Sequence, residues 1–237
     1  SEMSDDNRHQ ISSFLKSIWG VMVEDMAASR NVDIDHLNYI ADNSLGRNAE
    51  LAEEHKLIDG AMYTDEYQAH LADLADVSTD ALRSISITNY IASGKGRLKS
   101  TDPNRIAVIY AQGDIIYGRG DENFIGQELI INALKKARKS STVKAIVLRV
   151  NSPGGSALTS ELIWRELELT NDEVPLVVSM GDYAASGGYY LACNADRIFA
   201  EPTTITGSIG VFGTIPNISE IGRASCRGRV LGGGGGG

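Results

Sequence analysis

Ser186 lies in the stretch of this 237-residue chain whose residue types best suit nucleophilic chemistry. Residues 174–192 read V-P-L-V-V-S-M-G-D-Y-A-A-S-G-G-Y-Y-L-A. An apolar β run, 175–180, empties into the small-residue loop 181–185, which delivers Ser186 to the start of a new apolar segment. Gly187 and Gly188 stand directly behind it. A serine so placed shows its hydroxyl to solvent where free backbone N–H groups face any negative charge that develops. The second informative turn is N-S-P-G-G-S, 151–156, also between an apolar run and a helical pattern. Pro153 fixes its own φ, while Gly154 and Gly155 allow dihedrals or close approaches denied to other residues. Alone, this turn is equally well read as a tight strand-to-helix connection. Together, the two turns are expected at the carboxyl end of one parallel sheet, where open α/β sheets bind ligands. One amide from each, aimed at a common point, makes an oxyanion hole, and losing one such donor costs about 3 to 4 kcal/mol of barrier.

The proton acceptor is harder to find. All four histidines (His9, His36, His55 and His70) precede the α/β-patterned part, so Ser186 has no local Ser-His-Asp partner. The G-x-S-x-G elbow is absent too, because Ala184 stands where its first glycine belongs. The remaining bases are an N-terminal amine or a lysine of depressed pKa. No lysine follows Lys144, and Lys135, Lys136 and Lys139 sit at the spacing of a solvated helix face. If a base does lie within the chain, Lys95, Lys99 and Lys144 are the first to test. The histidines show no metal-ligand spacing. Neither glycine turn continues into Lys-Ser/Thr, and no G-x-G-x-x-G opens a helix, so nucleotide loops are excluded and no metal or cofactor is expected.

Two kinds of element must position these turns. Residues 4–75 are helical in pattern. Ser4 caps a first helix whose apolar positions Ile11, Phe14, Leu15, Ile18, Trp19, Met22 and Met26 form one stripe expected to pack as core. Asp33 or Asp35 opens a second helix, 45–58 forms a third, and Thr64 caps a fourth. The alternation over 84–91 hints at a short strand. The polar, Gly-containing stretch 92–104 reads as a linker. Beyond it, strands at 106–111, 144–150, 176–180 and 197–200 alternate with helices at 127–138, 156–169 and 186–195, which predicts a mostly parallel sheet. Cys193 falls in an apolar helical run and is expected to be buried. The stretch 222–237, with Cys226 and six terminal glycines, resembles no packed element and is set aside as a tail.

Bulk properties narrow the function. A net charge of -9 with no basic face argues against nucleic acid. No apolar run approaches the ~20 residues of a membrane span, and no signal peptide is evident.

Three motifs, N-S-P-G-G-S (151–156), S-M-G-D-Y-A-A-S-G-G-Y-Y (179–190) and T-I-T-G-S-I-G-V-F-G (204–213), resemble in order and spacing the signal peptide peptidase A (protease IV) family. The resemblance covers about residues 104–220. The helical part, with E-E-H-K-L-I-D-G at 53–60, resembles the region that joins the two tandem repeats of the family's long form. It implies a Clp-protease/crotonase-like α/β fold: a parallel sheet with flanking helices, preceded by a mostly helical segment. The implied division is a helical inter-repeat region at 1–91, a linker at 92–104, the catalytic α/β domain at 105–221, and the tail.

Carried over by motif, Ser186 is the nucleophile of a Ser/Lys dyad, and Gly187 with Gly154 and Gly155 forms the oxyanion hole. Ser208 orients the catalytic lysine, and Ser156, Tyr183 and Ala184 contact substrate. In the long form that lysine belongs to the first repeat, just upstream of a segment like residues 1–6. In the short form it lies downstream of the serine. The expectation is therefore a serine endopeptidase portion that lacks its lysine and is inactive alone. Substrates would be cleaved signal peptides and other extended apolar peptides. The implied setting is the periplasmic or extracytoplasmic face of the bacterial inner membrane, in a homo-oligomer, anchored by an upstream helix. Two other readings stay open: a crotonase-type acyl-CoA enzyme, for which the loop 181–185 offers only Asp182, and a non-catalytic scaffold repeat.

Overall fold

A computed structural model describes residues 3–95, 101–211 and 213. The tail at 222–237 with Cys226, Lys99 within the linker, and Phe212 of the third motif lie outside the described residues. The helical part begins with α1 (Asp5–Arg30), capped by the Ser4 hydroxyl and closed at Asn31 in the left-handed region, and continues with α2 (Ile34–Asp42), capped by Asp33. α3 (Ala49–Glu54) is shorter than the 45–58 expected, because the Asn48 side chain caps it late and Lys56 turns left-handed just after it. α4 (Thr64–Leu74) is capped one residue earlier than expected, at Tyr63, whose N–H donates to the Glu66 carboxylate at 2.8 Å.

The strand hinted at over 84–91 is instead a helix, α5 (Ile87–Ser93). Ser86 accepts from the Asn89 amide and Gly94 ends the helix in the left-handed region. Two caps with no neighbouring strand outweigh a two-residue alternation. The apolar stripe of α1 is also not the core it promised. Only Val23 is buried, against Leu37 and Ile40, while Phe14, Leu15 and Met22 are exposed. The nine residues of α2 are too short to cover a 26-residue helix.

The second part has the expected class. β1 (Arg105–Gln112), β4 (Val143–Ser152), β5 (Leu176–Ala184) and β6 (Arg197–Phe199) form a parallel sheet in that order. α6 (Gln127–Arg138), α7 (Ala157–Asn171) and α8 (Gly187–Ala192) make the connections. Their apolar faces meet one face of the sheet: Leu134, Ile163, Leu167 and Leu191 pack with Ile146, Leu148, Val150, Leu176 and Val178, all essentially excluded from solvent. α7 is tied to α6 by Glu166, a buried carboxylate between Arg138 at 3.2 Å and Lys135 at 3.6 Å.

The sequence reading did not find β2 (Asp114–Ile116) and β3 (Phe124–Gly126), a parallel pair. Three-residue strands flanked by Gly113, Gly118 and Gly120 carry too little periodicity to register. They matter, because Ile115 bridges directly to Gly155.

Candidate active site

The end of β4 is clamped by its own serine. Ser152 is fully buried; its hydroxyl donates to the Gly113 carbonyl at 2.7 Å and accepts from the Gly154 amide at 3.1 Å. Its carbonyl accepts from the Ala185 amide at 3.0 Å, so the two glycine turns are fastened to each other through one residue. Asn151 adds a second link, its Oδ1 accepting from the Tyr183 amide at 3.2 Å. Ser152→Ala is expected to lose about 1 to 3 kcal/mol of stability, since a part-buried carbonyl and a buried amide lose their partner. Urea denaturation measures it, and an unchanged midpoint would refute the clamp.

Beyond Ser152 the chain runs past Ile115 as a short parallel bridge. The Ile115 amide donates to the Gly154 carbonyl and the Ile115 carbonyl accepts from the Ser156 amide, each at 2.8 Å. In a parallel bridge the middle residue's own N–H and C=O point away from that partner. Gly155 is that residue, and its N–H has no partner among the described residues. The turn packs tightly against the serine loop: a Cβ on Gly154 would lie 2.7 Å from the Ser186 Cβ and 2.8 Å from the Gly187 nitrogen. With standard bond lengths, the Gly155 and Gly187 nitrogens are then no more than about 7 Å apart. That bound brackets the roughly 6 Å spanned by two amides sharing one oxygen.

Ser186 itself sits at φ 49° and ψ -119°, a region that a residue with a Cβ occupies only when its surroundings force it. Its N–H donates to the Ser208 carbonyl at 2.8 Å, and its carbonyl accepts from the Tyr190 amide at 3.0 Å. Its hydroxyl caps nothing and has no hydrogen-bond partner among the described residues, although Ser186 directly precedes α8. It faces a cavity of about 400 Å³ whose lining includes Gly155, Gly187, Ala157 and Ile209.

The remaining expected site residues divide. Ser208 is exposed and reaches Ser186 through its main chain. The Ser156 hydroxyl caps α7 by accepting from the Thr159 amide at 3.3 Å. Tyr183 is exposed at the end of β5, where it bridges to Ile205. Ala184 does not meet the expectation of a substrate contact: it is fully buried and its N–H is taken by the Ile205 carbonyl at 2.9 Å. Cys193, expected inside, is exposed and lies on the cavity wall, because α8 turns its 186, 189, 190, 193 stripe toward the cavity.

One part of the cavity wall escaped the sequence reading. Tyr190 donates to Glu161 Oε2 at 2.7 Å and stacks on Trp164, centroids 5.7 Å apart. That hydrogen bond to Glu161, followed by burial, raises the Tyr190 phenol above its ordinary pKa. No group of three or more His, Cys, Asp or Glu side chains forms a metal-binding cluster among the described residues. None of the described lysines lines the cavity.

A strained serine between two glycine amides at the carboxyl end of a parallel sheet is the arrangement of a serine hydrolase of acyl-transfer type. Residues 168–224 match Peptidase family S49. Protease 4 of Haemophilus influenzae is 35% identical over 230 residues, 93% of this chain and 37% of the relative. Protease 4 of Salmonella typhi is 34% identical over 92% of this chain and 36% of its own length. Serine protease SPPA, chloroplastic, of Arabidopsis thaliana is 35% identical over 88% and 32%. The chain is thus similar over most of its length to serine proteases named Protease 4 and SPPA, carries a family S49 match in its second half, and spans about a third of the length of these relatives.

Proposed function

We propose that this chain supplies the nucleophile and oxyanion hole of a serine endopeptidase with a Ser/Lys dyad. The observation that carries the reading is Ser186, held at φ 49° with its hydroxyl in the cavity beside the Gly155 and Gly187 amides. In the reaction, Ser186 Oγ bonds to the scissile carbonyl carbon while its proton passes to a lysine amine. The carbonyl oxygen, now anionic, is held by the two amides. The departing amine takes that proton as the C–N bond breaks, and water then hydrolyses the acyl-serine. The lysine comes from polypeptide outside these residues, in an arrangement of neighbouring repeats, and Ser208 orients it. Substrates are extended apolar peptides, released signal peptides among them, aligned by main-chain hydrogen bonds near Gly155. The working form is a homo-oligomer at the extracytoplasmic face of a bacterial inner membrane. None of the described helices is long and apolar enough to cross a membrane. The division into a helical region at 1–91, a linker at 92–104 and a catalytic domain from 105 accompanies this reading.

The test is hydrolysis of an apolar fluorogenic peptide by the chain alone and with the neighbouring repeat supplied in cis or in trans. The chain alone is expected to be silent, since general-base assistance contributes about 10²–10⁴-fold. A very reactive fluorophosphonate would still label Ser186, because the oxyanion hole stands. Robust turnover by the chain alone, lost on Ser186→Ala, would place the base within it, with Lys95, Lys99 and Lys144 examined first.

A further inference from the structure

We propose that Glu161 makes the cavity beside Ser186 selective for a substrate side chain with an apolar stem and a cationic head, arginine or lysine. This rests on the reading of Ser186 as the nucleophile. Ala157, Ser160, Glu161 and Trp164 recur at three- and four-residue steps and so share one face of α7, turned toward α8. Ser186 directly precedes α8, and Tyr190, one turn further on, donates its N–H to the Ser186 carbonyl at 3.0 Å. The Tyr190 hydroxyl donates to Glu161, and both line the same cavity as Ser186, so the carboxylate borders the space beside the nucleophile. Much of the remaining lining is apolar or aromatic: Ala157, Tyr189, Ile209 and Val211.

The carboxylate is held rather than loose. Its Oε2 takes the Tyr190 hydroxyl, whose ring is fixed by the Trp164 stack, and no cation pairs with Glu161 among the described residues. An acidic group on the wall of a largely apolar cavity is complementary to a long side chain with a positive terminus. The chemistry thus admits apolar peptides, but favours those that place a basic residue in this cavity.

The experiment uses the full-length polypeptide and pairs of apolar fluorogenic peptides with arginine or its neutral isostere citrulline. The substitution is made at each of the three residues before the scissile bond. At one position the kcat/KM ratio of arginine to citrulline is expected to be about tenfold in the native enzyme at low salt, falling as ionic strength rises. Glu161→Gln brings the ratio close to one, Glu161→Lys inverts it, and Tyr190→Phe, which frees the carboxylate, leaves it in between. A ratio that is the same in the native enzyme and all three variants, with cleavage still dependent on Ser186, overturns this assignment alone. Should one variant fail to fold, the others and the salt dependence of the native ratio still decide. Absence of any Ser186-dependent cleavage removes the peptidase reading, and this inference with it.

Discussion

Ser186→Ala in the full-length polypeptide is expected to lower kcat/KM for an apolar peptide by about 10⁴- to 10⁶-fold, the scale seen when a serine nucleophile is removed. The same change should move Tm by less than about 2 °C, because the hydroxyl makes no hydrogen bond with any described residue. Alanine keeps the Cβ at φ 49° and therefore keeps the backbone strain. Ser186→Gly removes both, and should be as inactive as alanine yet more stable by about 1 kcal/mol. The pair separates chemistry from conformation in one thermal-melt and activity series. A large stability loss in the alanine variant with activity retained would make Ser186 a structural residue.

Gly155→Ala should damage fold and function together. A Cβ there would lie 2.2 Å from the Ile115 carbonyl oxygen and 2.8 Å from its nitrogen, both backbone atoms of a paired strand. The residue also holds φ at +148°. No side-chain rotation relieves such a contact, so β2 must separate from the turn. The expected loss is about 3 kcal/mol or more in denaturant unfolding, with peptide turnover down at least ~10³-fold as one oxyanion donor is displaced. Gly20→Ala supplies the contrast: it lies inside α1 with nothing within 4 Å of the added methyl, and should be neutral or stabilising by up to about 1 kcal/mol. Equal behaviour of the two variants would mean that the Ile115–Gly155 bridge does not hold the site.

What could be read beforehand follows from where local chemistry coincides with tertiary need. α6 begins and ends where its periodicity says, because its buried positions Ile130, Leu134 and Ala137 are also those that touch the sheet. The buried strands and the two glycine turns were visible for the same reason: apolar runs and Gly-Gly pairs are local signals of nonlocal burial and close approach. The Ser84–Ile91 alternation misled because a strand exists only if another pairs with it, whereas the Ser86 and Gly94 caps act on their own segment. The apolar stripe of α1 predicted burial that α2 is too short to provide. Ser152, Glu161 and Tyr190 could not be singled out. Their importance lies in partners 29 to 39 residues away, and no spacing along the chain encodes those.

The strand order of the large sheet follows the order of synthesis: β1, β4, β5 and β6 lie side by side as they leave the ribosome. Each can dock on an edge already present, so the sheet can grow in one direction during translation. Ser186 is made before its restraint is complete, because its amide waits for a carbonyl 22 residues later, at Ser208. A nascent chain stopped short of that point can own its core yet hold the hydroxyl on an untethered loop. Tethering of Ser186 is then among the last events in the biogenesis of this unit, coming only after the surrounding sheet is in place.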